Sequence, residues 1–399
     1  MKGRVYVIGT LDTKETELRY AKRMVEKAGA KAVLVDVSTM PHAGRADVSA
    51  REVARFHPKG ELAVLGLNDR GAAVSGMAAA LSHFLVSAQD VGGVLGLGGS
   101  GNTAIVTAGM RALPVGVPKL MLSTVASGNT TPYMESSDVA MMYSVVDVAG
   151  LNAISRKVIA NAAHAVAGMA LNRVRKAKSD KPGVGITMFG VTTLCVTQIR
   201  EKIEATHECF VFHATGTGGQ SLEKLVDSGL LDSVIDITTT EVADYLFGGT
   251  LPCTDDRFGA MIRTGVPYVG SVGAADMVNF GARETVPAKF ADRKFYVHNP
   301  QVTLMRTSPT ENQAIGVWIV ERLNHMKGPV RFLLPLKGVS AIDAKGQPFH
   351  DPQADAALFA AIRKGWVAAR NRKLIEVDAH INDPAFALEV VKQFKSITP

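Results

Sequence analysis

Short apolar runs alternate along the chain with longer segments in which apolar residues recur every three or four positions. Residues 4–9 (Arg-Val-Tyr-Val-Ile-Gly) form one such run, and the segment after it places Leu18 and Val25 on one helical face before it ends near Lys27. A second apolar run, 31–37, follows this segment. The order of strand, helix and strand is typical of a βαβ unit with parallel strands.

The same order returns in the second half of the chain. Apolar runs at 183–190 and 208–214 enclose another helical segment, and further strand-like runs follow towards the end. The pattern therefore predicts an α/β protein of two doubly wound, Rossmann-like parallel-sheet domains, 1–178 and 179–399, with a cleft between them. The basic segment 173–178 is expected to link the two domains.

A glycine-rich loop separates the apolar run that begins at Val91 from a helix of small residues. Its sequence is Gly-Leu-Gly-Gly-Ser-Gly-Asn-Thr (96–103). Glycine lets the backbone approach a ligand closely, and the start of a helix presents unpaired N–H groups, so we expect this loop to bind phosphate. A turn that only permits tight packing is the alternative.

The glycine spacing matches the G-x-G-x-x-G pattern of dinucleotide sites, which also place an acidic residue about 20 positions later to bind the ribose. No Asp or Glu occurs from 102 to 134. The sequence therefore favours a nucleoside triphosphate or another phosphorylated ligand over NAD.

Two cations and a second polar loop are expected at the same site. Lys14 falls in the first turn of a predicted helix, where a cation opposes the helix dipole unless an anion is bound there. Arg70 falls near the start of another predicted helix, and the loop 124–129 leaves the carboxyl end of the next predicted strand. For both cations, a solvated side chain without a ligand is the alternative. The predicted nucleotide-binding residues are Lys14, Arg70, Gly98, Gly99, Ser100, Gly101, Asn102, Thr103, Thr124, Ser127, Gly128 and Asn129.

In the second half, ionisable residues collect where predicted strands end. His213, Glu241 and His298 are the candidates for a catalytic acid or base, because these residue types titrate usefully when partly buried. Their spacing forms no metal or triad signature, so helix caps and salt bridges are the alternative for each residue. Asp12 or Asp147 is the candidate ligand for an accompanying Mg²⁺.

The composition excludes several classes of protein. The 399 residues are 47% hydrophobic and 20% charged, and no apolar run is long enough to cross a membrane. No secretion signal is evident, so a cytoplasmic location is expected. Three cysteines without C-x-x-C spacing indicate free thiols. The net charge is +7, but the dense basic patch lacks aromatic residues, so no nucleic-acid partner is expected.

Six longer motifs resemble a known family. They are Ile-Gly-Thr-Leu-Asp-Thr-Lys (8–14), Gly-Leu-Gly-Gly-Ser-Gly-Asn-Thr (96–103), Ser-Thr-Val-Ala-Ser-Gly (123–128), Met-Phe-Gly-Val-Thr-Thr (188–193), Asp-Ile-Thr-Thr-Thr-Glu-Val-Ala-Asp-Tyr (236–245) and Asp-Met-Val-Asn-Phe-Gly (276–281). Together they resemble the ATP-binding domain of the tomato mosaic virus resistance protein family and its uncharacterised bacterial relatives. The resemblance implies ATP binding in the first domain and a homodimer. One departure is Asn102, where the family pattern has glycine.

Two functions remain open. The first is an ATP-dependent enzyme that acts on a small anionic or carbonyl substrate in the interdomain cleft, which the ionisable residues of the second half favour. The second is a non-catalytic, nucleotide-gated module that binds a protein partner, which the lack of a catalytic signature favours. No Walker sequence occurs, so main-chain N–H groups with Lys14 and Arg70 would hold the phosphates. A dehydrogenase is a weaker third hypothesis.

Overall fold

The computed structural model of the chain describes residues 3–174 and 181–398, and its contacts divide the chain into two units, 1–176 and 177–399. Each unit contains a parallel β-sheet with helices, which confirms the predicted α/β class with two domains. Most of the predicted basic linker, 173–178, lies outside the described residues. The cleft between the domains stays a prediction.

The first unit is built around a five-stranded parallel sheet. Its strands are β1 (Arg4–Gly9), β2 (Ala32–Asp36), β3 (Val91–Gly98), β4 (Lys119–Ser123) and β5 (Ala140–Tyr143), in the order β2-β1-β3-β4-β5. Its helices are α1 (Leu11–Lys27), α2 (Ala50–Ala54), α3 (Arg70–Ser87), α4 (Ser100–Ala112), α5 (Thr131–Met134) and α6 (Ala153–Leu171). The chain winds outward in both directions from β1 and β3, so the switch point of the sheet lies between these two strands.

The side chains of β1 point alternately to the two faces of the sheet, and both faces are covered by helices. Val5 and Val7 pack with α1 and α6 on one face, whereas Tyr6 and Ile8 pack with α3 and α4 on the other. Strand β3 is buried along almost its whole length. Such two-sided burial is expected of parallel strands, whose connecting helices must cross over the sheet.

The second unit repeats this winding. Its parallel strands are β6 (Gly183–Met188), β7 (Glu208–His213), β8 (Ser233–Thr238), β9 (Tyr268–Gly273), β13 (Val330–Pro335) and β14 (Arg372–Val377), in the order β14-β13-β9-β8-β6-β7. Its helices are α7 (Thr193–Ile203), α8 (Thr217–Asp227), α9 (Thr240–Phe247), α10 (Gly259–Thr264), α11 (Pro309–His325), α12 (Pro352–Gly365) and α13 (Pro384–Lys395). The first strand again lies between the second and the third.

A small antiparallel sheet in the second unit was not predicted. It contains β10 (Met277–Phe280), β11 (Phe295–Asn299) and β12 (Val302–Arg306), in the order β10-β12-β11. Local periodicity indicates a strand but not its partner, and β10 finds its partner β12 more than 20 residues away. His298 therefore belongs to this sheet and does not follow a strand of the parallel one.

Two expectations from composition agree with the structure. All three cysteines are free, and Cys195 and Cys253 are buried. Among the described residues, no helix has the length and apolar content that a membrane span requires.

An ion cluster lies inside the core of the second unit. The Arg257 guanidinium donates to Asp236 Oδ2 at 2.7 Å, Glu241 Oε1 at 2.6 Å and Glu223 Oε1 at 3.1 Å, and all four side chains are buried. Three carboxylates surround one guanidinium, so full ionisation leaves uncompensated negative charge in the core. Burial accordingly raises the pKa of Glu223 to about 7.

The raised pKa of Glu223 predicts a pH-dependent stability of the second unit. Between about pH 4.5 and 7 the folded state keeps a proton that the unfolded chain releases, so the free energy of unfolding falls as the pH rises through this window. Glu223→Gln should reduce the slope by at most about 1.4 kcal/mol per pH unit. Both tryptophans, Trp318 and Trp366, lie in this unit. Denaturant titrations followed by tryptophan fluorescence therefore measure the free energy of unfolding of the second unit selectively.

The exposed Glu204 supplies the control, because Glu204→Gln should leave the slope unchanged. An equal slope in the wild type and in Glu223→Gln would contradict this account of the cluster.

Candidate functional site

A cavity of about 490 Å³ opens at the switch point of the first unit, beside the carboxyl ends of β1 and β3. The first turns of α1, α3 and α4 contribute to its lining, together with the loops after β2 and β5. In a parallel sheet each crossover helix begins at the carboxyl edge, so several helix starts converge there. The cavity is therefore a consequence of the winding.

The glycine loop after β3 forms one wall of the cavity. Gly98 has φ +149°, a left-handed conformation, and a Cβ at this position would lie 3.0 Å from the Asn102 side chain. Helix α4 then begins at Ser100, directly after Gly99, and its first turn has no side-chain cap. The N–H groups of this turn point away from the helix body and are available to a ligand.

The neighbouring helix starts are satisfied from within the protein. Asp36 Oδ1 accepts from Leu11 N of α1 at 3.2 Å, and Ser38 Oγ accepts from Asp12 N at 3.1 Å. Asp69 Oδ1 caps α3 by accepting from Ala72 N at 2.8 Å. Because side chains already accept hydrogen bonds from N–H groups at the starts of α1 and α3, the start of α4 is the favoured position for an anion at this edge.

Lys14 and Arg70 both line the cavity. Lys14 is half-buried and occupies a non-helical kink of α1, with φ −132° and ψ 20°. Arg70 Nη2 lies 3.8 Å from the place of a Cβ on Gly101, so its guanidinium stands over the start of α4. Within the described parts of the chain, neither cation has an ion-pair or hydrogen-bond partner. The site thus presents two cations whose side chains have no direct partner, and the carboxylates of Asp12 and Asp147 line the same cavity.

Residues with acceptor side chains also line this cavity. Asp12 Oδ1 and Asn102 Oδ1 are buried and have no hydrogen-bond partner among the described residues, and the Asn102 amide nitrogen donates to the Leu97 carbonyl. Asp147 lines the same cavity from the loop after β5. Across the described residues, no three His, Cys, Asp or Glu side chains form a metal-binding group. A metal ion at this cavity would therefore need ligands of other kinds.

Other predicted nucleotide-binding residues lie around the loop. Thr103 is buried, and its hydroxyl contacts Gly99 O at 2.8 Å and Ser123 Oγ at 2.7 Å, so it holds the loop to β4. Thr124 N donates to Gly98 O at 3.2 Å. Ser127, Gly128 and Asn129 are exposed and lie outside the lining of this cavity. Ligand contacts by these residues stay a prediction.

Asp36 supports the start of α1 beside the cavity, a role that sequence reasoning missed. It is the last residue of β2, where dinucleotide-binding folds place the acid that binds the ribose. Here the carboxylate is buried and accepts from Leu11 N, from Ser38 N at 2.9 Å and from Ser38 Oγ at 2.6 Å, while its other oxygen contacts His42 Nε2 at 2.8 Å. Protein groups therefore contact both carboxylate oxygens of Asp36, which disfavours a dinucleotide at this position.

The three candidate catalytic residues belong to different elements of the second unit. Glu241 is buried, and it accepts from Arg257 Nε at 2.6 Å and from Gly216 N at 2.7 Å. His213 is exposed at the end of β7, and His298 is exposed on β11. Among the described residues, no hydrogen bond, ion pair or ring contact joins the three side chains. Their catalytic role stays a prediction.

Comparisons with known proteins cover both units. Models of the N-terminal and C-terminal domains of uncharacterised protein family UPF0261 match residues 3–175 and 181–398. A UPF0261 protein of Rhizobium meliloti is 55% identical over 99% of each chain, and one of Clostridium tetani is 42% identical over 98% of each. The ToMV resistance protein Tm-1 of Solanum lycopersicum is 42% identical over 99% of this chain but only 56% of its own length.

The internal capping of α1 predicts a large effect of Asp36→Ala. The change leaves Leu11 N, Ser38 N and Ser38 Oγ without an acceptor, and we expect a loss of about 1 to 3 kcal/mol for the first unit. Asp69→Ala removes a single exposed cap and should cost only about 1 kcal/mol. Native-state hydrogen exchange of the α1 amides measures the difference. Equal protection of these amides in the two variants would refute the capping role of Asp36.

Proposed function

The chain belongs to the UPF0261 family, and because that family is described as uncharacterised, we propose a function from the cavity itself: the first unit binds ATP, with the triphosphate at the start of α4. The observation that carries the proposal is the uncapped first turn of α4, which faces two cations without partners. Main-chain N–H groups and side-chain cations together are the usual ligands of phosphate in proteins.

The cavity has room for more than a phosphate group. A volume of about 490 Å³ lies in the range of sites that enclose small organic ligands. Apolar side chains of Met40, Leu67, Val74 and Ile105 also line it. In the proposed arrangement the phosphates contact the glycine loop, and the base packs against these apolar side chains.

The choice of ATP among nucleotides rests on two arguments. Asp36 is buried, and both of its oxygens already contact protein groups, which disfavours a ribose there and therefore NAD. The family resemblance of the sequence motifs implies ATP rather than another triphosphate, and it also implies a homodimer. A cytoplasmic location goes with this proposal, because ATP is supplied there.

For the second unit we propose a nucleotide-gated module that binds a protein partner. The observation that favours it over an enzyme is the engagement of Glu241, whose carboxylate is buried against Arg257 and therefore closed to a substrate. The enzyme hypothesis, with a small anionic or carbonyl substrate, keeps the exposed His213 and His298 as its acid or base candidates.

Phosphate release separates these two functions. The module predicts no turnover when the purified chain is incubated with Mg-ATP, whether alone or with a panel of small carboxylates and carbonyl compounds. Sustained phosphate release that is lost in His213→Ala or His298→Ala would establish the enzyme and overturn the module.

Substitutions of Lys14 and Arg70 test the proposed anion site. Lys14→Ala and Arg70→Ala should each weaken ATP binding about 10-fold to 100-fold in calorimetry, because each removes a charge-assisted contact worth about 1.5 to 3 kcal/mol. Arg19→Ala is the matched control on α1, because Arg19 is exposed and already paired with Glu15 at 2.7 Å. ATP affinity that is the same in all three variants and in the wild type would contradict the proposed site.

A further inference from the structure

Two acceptor oxygens in the cavity of the first unit have no donor. Asp12 Oδ1 and Asn102 Oδ1 are both buried and unpartnered within the described residues, and both side chains line the cavity. Asn102 is only 7% exposed, and its amide nitrogen is already bonded to the Leu97 carbonyl, so Oδ1 is the end left for a ligand. A buried acceptor without a partner is costly, so each of these oxygens calls for a water, an ion or a ligand group as its partner.

The charges of the cavity lining indicate what kind of group would bind Asp12 Oδ1 and Asn102 Oδ1. Asp12 and Asp147 bring carboxylates into a cavity that, on the proposed function, also receives a triphosphate. Like charges that share a partly desolvated cavity repel each other. Lys14 and Arg70 offset only the two carboxylates, so the phosphates would remain uncompensated. A further cation between the carboxylates and the phosphates removes this repulsion.

We propose that the cavity holds a divalent cation of the Mg²⁺ class, coordinated by Asp12 Oδ1 and Asn102 Oδ1, with Asp147 beside them and the ligand's phosphate oxygens completing the shell. This inference rests on the proposed function. Mg²⁺ prefers oxygen ligands and is usually bound through one or two carboxylates plus substrate phosphates. The lack of a three-acid cluster in the described residues agrees with such a shared shell.

A different occupant would satisfy the same oxygens. A hydroxyl or amino group of the ligand could donate to Asp12 and Asn102 directly, and no metal would then be needed. The two cases differ in their dependence on magnesium, so the experiment measures the affinity of the full chain for a non-hydrolysable ATP analogue by calorimetry. Each titration is made once in EDTA and once in MgCl₂.

The wild type should bind the analogue at least about tenfold more tightly in MgCl₂ than in EDTA. Asp12→Asn should reduce this ratio to about one, while its affinity in EDTA equals or exceeds that of the wild type, because a repelling charge is gone. Glu26→Gln is the control, since Glu26 is an exposed carboxylate of α1 outside the cavity lining, and it should keep the wild-type ratio. Thermal unfolding without ligand verifies that Asp12→Asn is folded.

Three results would overturn the inference. One is a magnesium ratio in Asp12→Asn equal to that of the wild type. Another is a loss of affinity in EDTA for Asp12→Asn, which indicates a direct hydrogen bond to the ligand. The last is wild-type binding that is independent of magnesium, which leaves the ATP proposal intact. If the wild type binds neither the analogue nor inorganic triphosphate under any condition, the proposed function fails, and the cation site fails with it.

Discussion

The unsatisfied N–H groups at helix starts are the constraint on which this structure depends. A parallel sheet places every crossover helix start at its carboxyl edge, and each start needs acceptors. In the first unit, Asp36 and Ser38 satisfy α1, Asp69 satisfies α3 and Asn152 satisfies α6. Helix α4 begins at Ser100, directly after Gly99, and has no side-chain cap. Among the helices that line the cavity, α4 is thus the one whose start is left for an external anion, and Lys14 and Arg70 line the same cavity.

The carboxyl edge of the sheet in the second unit is lined differently from that of the first. At its own switch point, between β6 and β8, buried hydroxyls contact one another: Thr192 Oγ1 lies 2.8 Å from Thr238 Oγ1, and Thr187 Oγ1 donates to Asp236 at 2.6 Å. Arg257 joins Asp236 to Glu241 behind this edge. The N-cap residues of α7, α8 and α9 make no side-chain caps at this edge either, and Thr239 Oγ1 has no partner among the described residues, so the second unit also keeps unpartnered polar groups there.

Much of the fold and part of the candidate site could be predicted from local sequence patterns. Periodicity predicted the repeated α/β winding. Glycine spacing and helix polarity indicated the loop at 96–103, Lys14 and Arg70, and the structure brings residues 98–102 of that loop and both cations to one cavity. What local pattern could not supply depends on long-range contacts. The capping by Asp36 requires the end of β2 to meet the start of α1, and the burial of Glu241 requires Arg257 to reach it from a loop. The pairing of β10 with β12 is likewise invisible until the chain is folded.

The position of the phosphates tests the central claim most directly. A crystal structure of the chain with a non-hydrolysable ATP analogue should show phosphate oxygens within hydrogen-bond distance of the N–H groups at the start of α4, with Lys14 and Arg70 on either side. An analogue bound elsewhere, or phosphates turned towards solvent while the first turn of α4 contacts only protein atoms, would contradict the account.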